Sequence, residues 1–288
     1  MQLEAIFEPV SGELELVERE LRTAMSRIAE GAGGSGQQRS PLGILPGIIK
    51  HPFAVPGKRI RPALVLLASR AVDGSFPREP LIKLAAAVEV LHAASLVHDD
   101  IIDNAEERRH QVSLNKAFGN RVAVLAGDIL YTHFFSLITG LPQVDAQSRF
   151  DILDIFIGTT RAMCIGEILA QEAAARAQPL AFEDYIQISS DKTASLFAAC
   201  CEAAAVVVRA GETRRRNLKD FGLTFGLTFQ MVDDLLDQDH GLDPGVDLRA
   251  ETLCYARRAQ ELAGVFPHGV FRDRFKDLVD YVTGQSIA

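Results

Sequence analysis

The chain has 288 residues, and the 48% of them that are hydrophobic are enough to bury a sizeable core. A formal net charge of −8 argues against nucleic acid as a partner. We expect no transmembrane segment and a cytoplasmic location, because no apolar stretch of spanning length is free of charge and the N-terminus lacks a basic signal-peptide start. No break in composition divides the chain, which predicts one domain over residues 1–288.

The N-terminal stretch predicts an amphipathic helix over residues 2–30 that Pro9 and Gly12 break early. The glycine- and serine-rich stretch that follows, 31–40, predicts a flexible loop.

Three cations in four residues precede a largely apolar helix predicted over 63–71. They are Lys58, Arg59 and Arg61. The N-terminus of a helix carries a partial positive charge, so cations placed there favour an anion-binding site. A solvated basic turn is the alternative interpretation, and it would be preferred if this segment stood alone.

An apolar helix predicted over 81–98 leads into three aspartates within five residues. They are Asp99, Asp100 and Asp103. On a helix the first and last of these are i and i+4, so their carboxylates share a face about one turn apart and repel each other. Hard oxygen ligands that leave room for water and phosphate suit Mg²⁺. Two arginines follow, Arg108 and Arg109, and guanidinium groups match phosphate geometry. The combination predicts a magnesium-bridged diphosphate site.

A further helix predicted over 185–208 carries Lys192 and Thr193 in an alanine-rich, apolar setting. A lysine in such a setting needs a counter-charge. A diphosphate would supply it, and a simple surface pair with Asp191 is the alternative.

A second aspartate cluster with the same DDxxD spacing ends the apolar helical run 221–232. Its members are Asp233, Asp234 and Asp237. An acidic helix end with solvated charges would be the better interpretation of one such cluster alone. Two clusters that face each other across a helical bundle could hold a diphosphate through several metal ions.

From about residue 57 to residue 237 the chain resembles the trans-isoprenyl diphosphate synthases of the polyprenyl synthetase family. The first cluster has the family's form, DDxxD followed after four residues by two arginines, and the second stands in the family's setting, FQMVDDLLD. No strand-like alternation of useful length occurs, so we expect an all-α fold, a single large bundle of antiparallel helices around a central cavity. The resemblance implies a homodimer.

The resemblance also implies the roles of individual residues. It implies that Mg²⁺ binds Asp99, Asp100, Asp103, Asp233 and Asp237. It implies that isopentenyl diphosphate binds Lys58, Arg61, His92 and Arg109. It implies that an allylic diphosphate binds Arg108, Lys192, Thr193 and Gln230. The residues that carry catalysis would be Asp99, Asp103, Asp233 and Lys192.

The sequence departs from the family's pattern at three places. Pro56 replaces the first glycine of the basic motif, and Ala170 stands where the GExxQ motif has glutamine, with Gln171 one place later. Residues 241–248 contain no lysine, where the family usually has one or more. The missing lysines keep open a non-catalytic or regulatory subunit of a heteromeric synthase. A class I terpene cyclase would share the first aspartate motif but not the second.

The residues before the first aspartate cluster line, in this family, the tunnel into which the product grows. Ala94 and Ser95, five and four places before Asp99, are small and would not block it. We therefore expect a polyprenyl diphosphate longer than farnesyl diphosphate. The alternative is that both residues merely pack against a neighbouring helix.

Overall fold

The computed structural model describes residues 2–30, 43–176, 178–237 and 241–284, so the predicted loop at 31–40 lies outside the described residues. The described chain is almost entirely helical, and the predicted all-α class is confirmed. Its α-helices, numbered in chain order, are α1 Leu3–Phe7, α2 Ser11–Glu30, α3 Leu45–Lys50, α4 Ile60–Val72, α5 Arg78–Ile102, α6 Leu114–Phe118, α7 Asn120–Thr139, α8 Ala146–Ala175, α9 Phe182–Ser189, α10 Ser195–Val207, α11 Glu212–Asp237, α12 Leu248–Gly264 and α13 Val270–Thr283.

Short irregular pieces join these helices. Two 3₁₀ turns, Glu8–Val10 and His51–Phe53, each hold a proline near their start, where its missing N–H costs nothing. A π-helical turn, Ser190–Ala194, joins α9 to α10, so the single helix predicted over 185–208 is in fact three segments.

A two-stranded antiparallel hairpin, β1 Glu107–Arg108 and β2 Gln111–Val112, follows the first aspartate cluster. Its turn residues Arg109 and His110 both have positive φ, 54° and 61°, the conformation of a type I′ hairpin turn. The sequence did not predict this hairpin, because two-residue strands are too short to show an alternating pattern.

The described residues divide into two compact units. We call residues 12–63 and 78–143 the N-terminal unit, and residues 1–11, 64–77 and 144–288 the C-terminal unit. The prediction of one domain over residues 1–288 stays a prediction.

In the N-terminal unit, α5 is the central helix and packs along α7. It runs from Arg78 to Ile102, longer than the predicted 81–98, because the helix continues through the first aspartates. One cluster of its core consists of Ile48, Val97, Leu114, Ala123 and Ala126. Each large aliphatic side chain buried in this way contributes about 1.5–3 kcal/mol relative to an exposed one.

In the C-terminal unit, α10 is buried along nearly its whole length and packs against α11. Close approach is possible because Gly222 and Gly226 have no side chain. A Cβ atom at Gly222 would lie 2.6 Å from the Phe197 carbonyl oxygen, and one at Gly226 would lie 2.6 Å from Ala194 Cα. The four-residue spacing of these glycines thus marks a helix–helix contact.

Within the part of the chain that the structure describes, two helices, α5 and α7, are long and apolar enough to cross a membrane by length and composition alone. The protein itself buries 78% of the most apolar stretch of α5 but only 33% of that of α7. A core helix passes the same test, and the expectation of no transmembrane segment stays a prediction.

Candidate active site

The first aspartate cluster lies at the C-terminal end of α5. The backbone N–H of Asp103 donates to the Asp99 carbonyl oxygen at 2.8 Å, so helical geometry continues to Asp103 and the two residues share a face. Asp103 is exposed and Asp99 is partly buried. These two carboxylates therefore have the spacing that the sequence predicted.

The middle residue of this cluster, Asp100, points inward and is only 4% exposed. Its Oδ1 accepts a hydrogen bond from Arg108 Nε at 2.5 Å. Burial raises the pKa of Asp100, although the Arg108 guanidinium acts against that shift. Burial and pairing thus turn the Asp100 carboxylate to a protein cation. The metal role of Asp100 stays a prediction.

Arg109 lies against the segment that carries the basic motif. Its Nη1 donates to the Val55 carbonyl oxygen at 3.4 Å. A Cβ atom at Gly57 would lie 2.7 Å from the same Nη1, so the absence of a side chain at Gly57 gives the guanidinium its place. Val55 and Arg109 are 54 residues apart in sequence, so this contact brings the hairpin turn against the segment that carries the basic motif.

Arg61 and His92 also meet, with 3.1 Å between Arg61 Nη1 and His92 Nε2. Since a guanidinium is always a donor, Nε2 accepts and the imidazole is neutral with its proton on Nδ1. Burial first, and then the charges of Arg61 and Arg109, lower the pKa of His92 well below its usual range. Because α4 begins at Ile60 rather than at residue 63, Arg61 lies in its first turn.

The third cation of the basic motif, Arg59, has a structural role. Its Nε donates to Glu18 and its Nη1 to Glu89, each at 2.5 Å. Lys58 beside it is exposed. The N-terminal unit thus brings together Arg61, His92 and Arg109 with the backbone that carries Lys58, which is the set predicted for isopentenyl diphosphate.

His51 is a residue of this site that the sequence did not reveal. Its Nε2 donates to the Val112 carbonyl oxygen at 2.7 Å, and its ring meets Phe118 edge-on at 5.8 Å. It thereby ties the segment before the basic motif to the hairpin that carries Arg109. No pattern pointed to His51, because the hairpin itself was not predicted.

In the C-terminal unit, Lys192 lies in the π-helical turn. A Cβ atom at Gly166 of α8 would lie 2.5 Å from the Lys192 backbone nitrogen, so this turn can pack against α8 only because residue 166 is glycine. Single π-helical turns inside helices are frequent at functional sites.

A carboxylate from α8 partners Lys192, with 2.7 Å between Lys192 Nζ and Glu167 Oε2. Gln171 Nε2 donates to Glu167 Oε1 at 3.0 Å, so the glutamine displaced by one place orients this carboxylate. Burial raises the pKa of Glu167, but the hydrogen bonds from Lys192 and Gln171 outweigh it and the net pKa is lowered. Asp191, the alternative partner for Lys192, accepts from Gln187 Nε2 at 2.6 Å.

A chain of hydrogen bonds links the remaining polar groups of this unit. Thr193 Oγ1 donates to Gln230 Oε1 at 2.8 Å, and Gln230 Nε2 donates to Asp234 Oδ1 at 2.9 Å. Tyr185 OH donates to Asp234 Oδ2 at 2.5 Å. Burial and the charge of Asp234 raise the pKa of Tyr185, so the phenol keeps its proton and remains a donor.

These groups line a pocket of about 530 Å³ in the C-terminal unit. Its polar lining is Arg176, Gln178, Tyr185, Ser189, Lys192, Thr193, Gln230 and Asp234. Three of the four residues predicted for the allylic diphosphate, Lys192, Thr193 and Gln230, are therefore together. The fourth, Arg108, belongs to the N-terminal unit and pairs there with Asp100.

A divalent metal fits the outer carboxylates. Asp103, Asp233 and Asp237 are exposed, and carboxylate oxygens are hard ligands. Among the described residues no three His, Cys, Asp or Glu side chains form a group that could hold a metal ion unaided. Mg²⁺ usually binds through one or two carboxylates together with waters and substrate phosphates, so this incomplete set matches a metal that arrives with a diphosphate.

Comparison with known proteins identifies the family. The family model described as Polyprenyl synthetase matches residues 43–241, more than half of the chain. The chain belongs to the polyprenyl synthetase family.

Two curated relatives and one solved structure illustrate the likeness. The octaprenyl diphosphate synthase of Escherichia coli is 34% identical over 166 residues, 58% of this chain and 49% of that protein. The all-trans-nonaprenyl-diphosphate synthase (geranyl-diphosphate specific) of Rhodobacter capsulatus is 37% identical over 190 residues, 65% of this chain and 56% of that protein. The chain thus spans about half the length of the curated relatives it matches.

The solved structure is a decaprenyl diphosphate synthase from Rhodobacter capsulatus. It superposes with a TM-score of 0.83 at 23% identity and covers 100% of both chains. This likeness confirms the fold.

Proposed function

We propose that the protein is a magnesium-dependent prenyltransferase that condenses isopentenyl diphosphate with an allylic diphosphate to make a polyprenyl diphosphate. The observation that carries the proposal is that each unit assembles its own set of phosphate-binding groups beside a DDxxD cluster. Arg61 and Arg109 lie in the N-terminal unit, and Lys192 lies with Gln230 in the C-terminal unit. A reaction between two diphosphates needs two such sets.

The roles of the residues follow from the charges that develop. Lys192, Thr193 and Gln230 would hold the allylic diphosphate and stabilise the negative charge that it gains as the C–O bond breaks. Magnesium on Asp99, Asp103 and Asp233, when bound, would neutralise further charge on the leaving diphosphate. Asp237 is exposed at the end of α11 and is a further candidate ligand.

Isopentenyl diphosphate would be held by Lys58, Arg61, His92 and Arg109, so that its double bond attacks the allylic cation. A neutral His92 donates from Nδ1 without adding a charge, whereas the guanidinium groups bind phosphate oxygens in pairs. The released diphosphate is the candidate base for the proton that is lost in the final step.

We also propose that the product is longer than farnesyl diphosphate. Ala94 is fully buried and Ser95 is 8% exposed, and neither is bulky. The octaprenyl and nonaprenyl names of the relatives support a long product.

A homodimer in the cytoplasm completes the proposal. In its support, α7 exposes large apolar side chains, including Leu125 at 61% and Val124 at 43%. Burial of such a patch against a second copy would remove it from water. Leu125→Glu should shift the protein from dimer to monomer in light scattering, and an unchanged mass would count against this face.

The deciding experiment is incubation of the lone protein with isopentenyl diphosphate and an allylic primer, with Mg²⁺ or with excess chelator. We expect polyprenyl diphosphate only with the metal, with chain length read by mass spectrometry. The lysine-poor stretch 241–248 favours one other candidate, a non-catalytic subunit of a heteromeric synthase. Absence of product with Mg²⁺ and several primers would support that candidate instead.

A further inference from the structure

We propose that Arg176 is a further ligand for the diphosphate in the pocket of the C-terminal unit, an inference that rests on the proposed function. Arg176 is the residue directly after α8, and it lines the same pocket of about 530 Å³ as Lys192, Thr193 and Gln230. No sequence motif singled it out.

The charge of the pocket favours a second protein cation. A diphosphate carries at least two negative charges near neutral pH, and Lys192 already shares its charge with Glu167 at 2.7 Å. Asp234 adds a negative charge to the lining. Among the described residues that line the pocket, the Lys and Arg side chains are Lys192 and Arg176.

The segment after the second aspartate cluster does not supply that cation. Gly241 reaches the pocket, but residues 241–248 contain two aspartates and neither lysine nor arginine. Backbone bonds hold this segment to Leu180, whose N–H donates to the Gly241 carbonyl oxygen at 2.9 Å. Of residues 241–248 the pocket lining includes Gly241, which carries no charge.

The Arg176 side chain can exchange its pairing with Glu172 for a bound diphosphate. Its backbone N–H donates to the Ala173 carbonyl oxygen at 3.0 Å, which fixes the position of the residue at the helix end. Its side chain is 65% exposed and pairs with Glu172, itself 55% exposed, one turn earlier. Exposed pairs of this kind are weak, so a diphosphate can replace the carboxylate, and the guanidinium can bind two of its oxygens at once.

The test is binding of inorganic diphosphate, measured by calorimetry in metal-free buffer with chelator, so that protein cations alone are probed. Arg176→Ala should raise the Kd about tenfold, the effect expected when one charge-assisted hydrogen-bonding partner is lost. The Kd of Arg176→Lys should lie between those of the unsubstituted protein and Arg176→Ala, because lysine keeps the charge but lacks the planar guanidinium that binds two oxygens at once. Arg161→Ala is the matched control, since Arg161 is exposed on the same helix and does not line the pocket.

Kinetics provide the second measurement. With Mg²⁺ present, Arg176→Ala should raise the KM of the allylic substrate and leave that of isopentenyl diphosphate unchanged. Glu172→Gln frees the guanidinium and should lower the Kd for diphosphate or leave it unchanged.

The outcomes separate this inference from the proposed function. If Lys192→Ala weakens diphosphate binding but Arg176→Ala binds as tightly as Arg161→Ala, Arg176 is not a ligand and the proposed function stands. If neither substitution weakens binding, the pocket does not bind the allylic diphosphate. The assignment of Arg176 and the proposed function are then both wrong.

Discussion

The two DDxxD clusters have the same spacing but different surroundings, and the middle aspartate shows the difference. Asp100 of the N-terminal unit is almost fully buried and binds a cation, Arg108. Asp234 of the C-terminal unit is partly buried and binds the neutral groups Tyr185 and Gln230. In each cluster the middle carboxylate orients a neighbouring polar side chain, and the last carboxylate is exposed. Identical motifs therefore contain two kinds of aspartate.

The two units also hold their phosphate-binding cations in different ways. Glu167 fixes Lys192 through an ion pair. Arg109 instead lies on the backbone of Val55 and Gly57, which adds no counter-charge. The charge of Glu89 also acts on Arg109, so the contrast lies in how each cation is held, Arg109 by neutral backbone groups and Lys192 by a direct ion pair.

The largest expected effect comes from the outer aspartates. Asp103→Asn and Asp233→Asn each remove a charged metal ligand while keeping the side-chain shape, so kcat should fall roughly 10²–10³-fold. Steady-state rates at saturating substrates and Mg²⁺ measure this, with circular dichroism as the check on folding. A near-normal rate in either variant would show that the clusters do not act through bound metal.

The middle aspartates provide the contrast. Asp100→Asn removes the counter-charge from the part-buried contact with Arg108, so it should cost stability, about 1–3 kcal/mol for a hydrogen-bonded charge left unsatisfied. Asp234→Asn should cost less, since its partners are neutral. Chemical denaturation of both variants measures the loss in free energy of unfolding. An equal loss in the two variants would contradict the difference between the clusters.

The next effect separates the two substrates. Lys58→Ala should raise the KM of isopentenyl diphosphate roughly tenfold, and Lys192→Ala should do the same for the allylic diphosphate, because each removes one charged contact. Both constants are measured for both variants in one assay. If Lys58→Ala moved only the allylic KM, the two assignments would have to be exchanged.

The sequence was sufficient for much of this arrangement but not for all of it. The all-α class and the one-face spacing of Asp99 and Asp103 follow from periodicity, which is a local property. The contacts of Arg109 with Val55 and of Lys192 with Glu167 join residues distant in the chain. Periodicity does not encode such pairs, and the resemblance to the family supplied the roles but not the partners.

Asp100 and the π-helical turn show why the rest was missed. A motif gives the spacing of carboxylates but not which one turns inward, since that depends on an arginine eight residues later. The π-helical turn depends on Gly166, which is on another helix. The strands of the hairpin are too short to produce a pattern. His51, which anchors the hairpin, is a single residue and produces none either.

A smaller effect concerns the length of the product, which we assign to the N-terminal unit. Ala94 is fully buried on α5, about 7.5 Å along the helix from Asp99 at about 1.5 Å per residue. The series Ala94→Val, Ala94→Leu and Ala94→Phe should shorten the main product step by step, as read by mass spectrometry. Lys192→Ala, in the other unit, should slow synthesis without changing the final length. An unchanged product distribution across the series would mean that these residues only pack.

The smallest expected effect tests how each unit positions its binding groups. His51→Ala removes the donor to Val112, which loosens the hairpin that carries Arg109, so the KM of isopentenyl diphosphate should rise about three- to tenfold with little change in kcat. His51→Gln keeps an N–H donor and should recover part of the loss. Tyr185→Phe is the matched change in the C-terminal unit, because it removes the donor to Asp234 and should raise only the allylic KM. A merely structural role for His51 would lower the melting temperature and move both KM values together, and that result would end its assignment as a positioning residue.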